Sequence, residues 1–179
     1  MQSVKHFAKF VGKNRVFLLK LLIVIDTNFE IEGFWQVYLN TLPPGSGSHA
    51  TYQSWYFGSS REMAAELGGL VRQGIKTATC SLLWEHELGG EPLPQMGELN
   101  IITDWDGHPL CIIETVDVHI RAFRDVDEQF AFEEGEGDRS LASWRADHWT
   151  YFSRVCSSLG RKPDESMPLV CERFRLVFS

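Results

Sequence analysis

Apolar and polar positions divide the chain into helical and extended stretches. Between residues 30 and 41, Ile31, Phe34, Trp35 and Tyr38 recur at helical spacing. Pro43-Pro44-Gly45 then breaks the pattern and opens a loop that runs to Ser48. Tyr52 to Phe57 is an aromatic run ended by Gly58. Residues 60–73 return to helical spacing, with Met63, Leu67, Leu70 and Val71 on one stripe. Ser59 or Ser60 can cap that helix, and Gly74 is suited to follow its end. Extended runs are predicted at 77–84, 98–104, 109–121 and 171–178. Asp104-Trp105-Asp106-Gly107 forms a hairpin turn between the second and third, while Gly89-Gly90 and Pro92 to Pro94 mark a longer loop before them. Phe123 to Phe132 predicts a short helix, and Glu133 to Gly137 a glycine-broken acidic loop. Asp138 caps a last helix reaching about Leu159, with Leu141, Trp144, His148, Phe152 and Val155 on one face.

Antiparallel strands on short connections, flanked by roughly three to four helices, define an α+β class. Closing such a sheet removes its exposed edges, so the expected architecture is a small mixed or antiparallel β-barrel. Leu110, Ile112, Thr115 and Val118 depart from strict alternation, which a bulge or a barrel bend explains. The chain reads as an N-terminal extension, residues 1–27, followed by one domain, residues 28–179.

Composition narrows the function. With 179 residues, 44% hydrophobic and 23% charged, the chain has the make-up of a globular domain with a sizeable core. The net charge is −7. Lys5, Lys9, Lys13, Arg15 and Lys20 against Asp26 give the extension about +4 and leave the remainder near −11. Such a body is a poor partner for a long polyanion, whose binding rests on phosphate contacts. Val16 to Ile25 is apolar apart from Lys20, too short for a bilayer span of about 20 residues, and no small-residue cleavage site follows it. A cytoplasmic protein with no membrane attachment is expected. The four cysteines, Cys80, Cys111, Cys156 and Cys171, show no C-x-x-C pair and no zinc-ligand spacing, so they read as reduced thiols and no metal site is expected.

Candidate chemistry gathers around Gly74-Ile75-Lys76-Thr77-Ala78-Thr79-Cys80-Ser81. Lys76 sits at a helix–strand junction, followed by the hydroxyls of Thr77, Thr79 and Ser81. Partial burial lowers a lysine pKa, and a neutral amine can take a proton from a hydroxyl; a charged one can hold an oxyanion. Regular strand geometry puts Thr79 on the face opposite Lys76, so contact requires Lys76 to stand in the turn. Glu133, Glu134 and Glu136 read either as an exposed turn or as carboxylates beside Lys76, where they would raise its pKa and weaken it as a base. Arg139, Arg145, Arg154, Arg173 and Arg175 include candidates for anion recognition, with scattered surface ion pairs as the plainer reading. His148 and Trp149 read as packing residues.

These stretches resemble the ASCH domain family. The matching elements are Trp55-Tyr56-Phe57-Gly58, Gly74 to Thr79, Gly97-Glu98-Leu99, Ala131-x-x-Glu134-Gly135 and Gly137-Asp138-Arg139-Ser140-Leu141. Trp144-Arg145-x-x-His148-Trp149 and Cys171-Glu172-Arg173-Phe174 complete the set, over about residues 30–178. The resemblance implies a β-barrel related to the PUA fold and a role in RNA or modified-nucleoside binding. One branch resembles amidohydrolases of N4-acetylcytidine, which implies Lys76 as base, Thr79 as nucleophile and Glu134 as proton donor or oxyanion stabiliser. Thr77, Ser81, Trp55, Trp84, Arg139 and Arg145 are the expected substrate-binding set, with Trp55 or Trp84 stacking on the base. That branch carries a basic residue two positions after the threonine, where this chain has Ser81. Alternatives are a ribonuclease acting on single-stranded RNA, in which the acidic loop can hold a hard divalent ion, and a non-catalytic RNA-binding regulator. Otherwise no cofactor is expected.

Overall fold

The element order follows the hydrophobic pattern closely. A computed structural model of the chain describes residues 17–45, 50–90 and 92–179, with the side chains of 17–26 outside that description. In chain order the elements are α1 (Phe17–Thr41), β1 (Tyr52–Trp55), α2 (Arg61–Arg72), β2 (Ala78–Leu82), α3 (Leu83–Gly89), β3 (Leu99–Thr103) and β4 (Pro109–Ala122). A 3-10 turn (Phe123–Asp125), α4 (Glu128–Glu134), α5 (Leu141–Ser158) and β5 (Pro168–Phe178) follow. Helix α1 runs through the boundary that the sequence suggests after residue 27, and residues 1–16 of the extension lie outside the described residues. No helix among the described residues is long and apolar enough to cross a membrane.

The fold is α+β, with five strands in one mixed sheet of order β1-β3-β4-β5-β2. β1 pairs with β3 in parallel, whereas β3 with β4 and β2 with β5 are antiparallel. In this order β1 and β2 are the end strands, so the sheet is described as open where the sequence suggested a closed barrel. The suspected bulge exists. Ile102 pairs with Cys111 and Thr103 with Pro109, so Leu110 is the extra residue on β4. Its side chain approaches α2 at Gly68, where a Cβ would lie 2.7 Å from Leu110 Cδ1.

The described chain groups into two compact units, and β4 and β5 run through both. The first comprises the described residues up to Arg72, Glu98–Glu114 and Leu176–Ser179. In its core Ile31, Trp35 and Tyr38, one face of α1, pack on Ile101 and Ile112. The second comprises Gln73–Gly97 and Thr115–Arg175. Its core joins Ala78 and Leu82 of β2 to Phe130 and Ala131 of α4, Trp144, Phe152 and Cys156 of α5, and Leu169 and Cys171 of β5.

Three details differ from the sequence reading. Ser60, one of the two expected caps, does cap α2 by accepting from the Met63 backbone N–H, but the buried stripe is Ala64, Leu67, Gly68 and Val71. Met63 stays part-exposed because it packs back over Gly58 at the helix start. The strand expected over 77–84 stops at Leu82, and residues 83–89 form a helix ended by Gly90 in the left-handed region at φ 63°. Asp138 does not cap α5. It binds the Ser140 N–H, and Ser140 caps the helix by accepting from the Ser143 N–H.

Phe152 is fully buried at the centre of the second core. Phe152→Ala is expected to cost about 3–5 kcal/mol of stability, read as a lower urea midpoint.

Candidate functional site

The site grows out of one turn and one loop. After α2, Gly74 adopts φ 69° and turns the chain into β2, leaving Lys76 two residues before the strand. Opposite it, α4 ends at Glu134, and Gly135 at φ 76° reverses the chain. A Cβ on Gly135 would stand 2.7 Å from Ile75 O and 3.0 Å from Lys76 N. Only a residue without a side chain lets the two backbones come so close. The Thr77 N–H donates to Glu133 O at 2.8 Å and locks the approach.

The Lys76 side chain is almost fully buried. Its Nζ donates to Glu134 Oε2 at 3.0 Å, to Glu134 O at 3.3 Å and to Glu136 Oε1 at 2.7 Å. Glu134 is equally buried, and its other oxygen, Oε1, accepts from Trp144 Nε1 at 3.0 Å and lies 3.5 Å from His148 Nε2. His148 Nδ1 meets Trp144 O at 3.0 Å. A carbonyl only accepts, so Nδ1 carries a proton and Nε2 faces the carboxylate. The imidazole also stacks on the Trp144 indole, ring centres 4.3 Å apart. Cys80, half-buried on β2, completes the group: Cys80 Sγ, a Glu134 oxygen and a His148 nitrogen lie within 4.8 Å of one another.

Burial by itself would lower the Lys76 pKa, but Glu134 and Glu136 outweigh it and the ammonium is held above its ordinary value. Burial would raise Glu134, yet Lys76, His148 and Trp144 hold its carboxyl well below the usual range. His148 is likewise raised, because Glu134 overcomes the burial that would lower it. Burial, reinforced by the Glu134 charge, pushes the Cys80 thiol up. The cluster therefore holds Lys76 as an ammonium beside the Glu134 carboxylate and biases His148 toward its charged form. Lys76 is not a neutral amine, and Glu134 has no proton to donate; the acidic protons sit on Lys76 and His148.

The expected substrate residues are dispersed. Thr79 pairs with Glu172 across β2 and β5, and strand alternation sets it on the face opposite Ala78, Cys80 and Leu82. Its hydroxyl makes no hydrogen bond among the described residues. Thr77 Oγ1 lies 3.4 Å from Glu133 O, and Ser81 Oγ bonds His86 Nε2 at 2.8 Å. Trp84 carries the Arg161 guanidinium 4.4 Å above its ring. Arg139 is spent locally: at φ 63° it donates to Phe132 O and stacks 3.5 Å over the Phe132 ring. Arg145 donates to Arg124 O at 2.9 Å, and its buried Nε has no hydrogen-bond partner. Trp55 belongs to the first unit, where Nε1 donates to the buried Asn100 Oδ1 at 2.9 Å.

Sequence reasoning paired Lys76 with Glu134 but did not assign Glu136, Trp144, His148 or Cys80 to the site. The i, i+4 spacing of Trp144 and His148 was the available signal, since it places both on one helix face. Glu133, from the same acidic run, instead accepts from Arg173 Nε at 2.6 Å.

The sequence profile of the ASCH domain matches residues 53–178. A solved ASCH domain from Lactobacillus crispatus JV V101 is 38% identical, covers 83% of this chain and 94% of its own, and superposes with a TM-score of 0.79. A solved protein from Enterococcus faecalis V583 is 35% identical, with 83% and 88% coverage and a TM-score of 0.71. No curated protein matches the chain.

Two outcomes follow. Gly135→Ala forces a side chain against Ile75 O and is expected to cost about 2 kcal/mol, read by urea unfolding. Glu134 has a folded pKa below its unfolded one, so its contribution is present at neutral pH and is lost as pH falls below about 5. Glu134→Gln is expected to lower Tm at pH 7 and to flatten the loss of Tm between about pH 5 and pH 2 relative to wild type.

Proposed function

Because the chain belongs to the ASCH domain family, we propose that it is a hydrolase of a small, uncharged modified nucleoside and cleaves an amide such as the acyl group of an N4-acetylcytidine. The observation that carries this reading is the grip of two carboxylates on the buried Lys76 ammonium, at 3.0 and 2.7 Å. With Glu134 and Glu136 against Lys76 and His148, the cluster has no surplus positive charge. A phosphate brought beside it would meet two carboxylates at close range. A neutral amide meets no such penalty, and its charge develops only in the transition state. This consideration, with the net charge of −7, ranks the ribonuclease and RNA-binding readings below amide hydrolysis. Closure of the sheet into a PUA-related barrel belongs to the same proposal.

In this reading the residue roles shift from those the family motif suggests. Lys76 is an ammonium whose three N–H groups rest on Glu134 and Glu136, and in this reading it exchanges the contact with the part-exposed Glu136 for the oxyanion formed when the acyl carbon is attacked. His148, positively charged through Glu134, donates the proton that the departing amine requires. Glu134 acts through both as a positioning residue: it holds the Lys76 charge in place and fixes the imidazole nitrogen that faces inward. Thr79 is the family's nucleophile; its hydroxyl is uncommitted but lies on the face of β2 opposite Cys80, so either it or a water attacks, giving its proton to the part-exposed Glu136 carboxylate. A Thr79 role is separable from the Lys76 role by mutation, since Thr79 lies within β2 and Lys76 in the turn before it.

Lys76→Gln, with its fold checked by near-ultraviolet circular dichroism, is expected to lower kcat for N4-acetylcytidine hydrolysis by about 10²–10³, the loss typical of one oxyanion-stabilising donor. Unchanged turnover in Lys76→Gln would reject the reading. Thr79→Ala assigns the nucleophile: loss of turnover gives it to the hydroxyl, and retention gives it to water.

A further inference from the structure

We propose that Cys80, Glu134 and His148 form a binding site for a divalent transition-metal ion of zinc type. The three come from β2, the end of α4 and α5, and nothing in their sequence separation suggests a shared ligand set. In space their donor atoms lie within 4.8 Å of one another. Tetrahedral zinc with bonds of about 2.0–2.3 Å needs ligand atoms about 3.5 Å apart, a contraction that side-chain rotation supplies.

Two of the three donors, His148 and Glu134, are already oriented by a second contact, as metal ligands are. His148 Nδ1 is occupied by Trp144 O, which leaves Nε2 as the nitrogen facing the cluster. Glu134 Oε2 is held by Lys76, which leaves Oε1 toward His148. Oε1 keeps a second lone pair after accepting from Trp144 Nε1. Charge also fits. Lys76 offsets one of the two carboxylates, Glu134 and Glu136. The other carboxylate and a Cys80 thiolate leave two negative charges, equal to those of a divalent ion. A sulfur, a nitrogen and one oxygen select zinc, or cobalt in its place, over magnesium or calcium. The His148 side chain retains 13% exposure, so solvent can supply the fourth ligand.

This inference goes beyond the amide-hydrolysis reading and does not depend on it, because the ion and that reaction make different use of His148. The test is titration of the full chain, freed of metal by chelator, with Zn²⁺ by calorimetry and with Co²⁺ by absorption. The expected result is one tight equivalent of either ion and a thiolate-to-cobalt charge-transfer band in the near ultraviolet. Cys80→Ser is expected to abolish the band and weaken binding at least tenfold. If that variant does not fold, the wild-type band alone decides the question. A second group, Asp104, Asp106 and His108, is exposed on the hairpin turn and serves as the control. Binding without the thiolate band, or binding lost in His108→Gln but kept in Cys80→Ser, overturns the proposal, as does no binding at all. None of these readouts uses turnover, so failure here leaves the hydrolase reading to its own experiment.

Discussion

A buried ammonium surrounded by carboxylate oxygens is the interaction around which the second unit is organised. Lys76 is 1% exposed, and an unpaired charge at that depth would be expensive to keep ionised. Glu134 and Glu136 remove the penalty, but only if the loop between α4 and α5 comes against the turn before β2. That demand explains several residues together. Gly135 has no side chain where Ile75 O passes; Thr77 bonds Glu133 O; Trp144 and His148 turn their polar edges to the far oxygen of Glu134. Removing one member leaves the others as uncompensated buried polar groups, so the cluster behaves as a unit.

The same arrangement decides which chemistry the site favours. Coulomb attraction between groups about 3 Å apart outweighs the desolvation that would otherwise neutralise the lysine. A lysine made neutral by burial would be a base; this lysine is a fixed positive charge. Its field is largely cancelled by adjacent carboxylates, and the proposed preference for a neutral substrate rests on that balance. Several arginines that might have supplied an anion site are instead used for architecture. Arg139 stacks on Phe132, Arg145 ties α5 to the chain at Arg124, and Arg173 joins Glu133 to Asp117.

Hydrophobic burial builds the frame that holds this polar group. Phe130, Ala131, Trp144 and Phe152 pack with Ala78, Leu82, Leu169 and Cys171, so α4 and α5 are seated on β2 and β5 by apolar contact. Glu134 follows directly on that packed face of α4, and Trp144 lies in the same core as an apolar body with a polar N–H. The polar cluster is thus an extension of the core, which is why its buried members shift one another's pKa values.

Much of the framework was legible in the chain itself. The stripe Ile31, Trp35 and Tyr38, the α2 helix, the Asp104–Gly107 turn and the strands beside it follow from periodicity and turn chemistry, which are local properties. The family resemblance added the pairing of Lys76 with Glu134. Parallel pairing of β1 with β3, the short helix 83–89 and the capping of α5 by Ser140 were not legible, because each depends on partners distant in sequence or on competition between adjacent caps. The ionic state of the site was likewise a tertiary matter. The sequence left two opposed effects on Lys76, burial and nearby carboxylates, and only separations of 2.7 and 3.0 Å show which prevails. Composition and periodicity act between neighbours along the chain, whereas a pKa and a ligand cluster are set by distances in space, and those are fixed only when β2, α4 and α5 pack together.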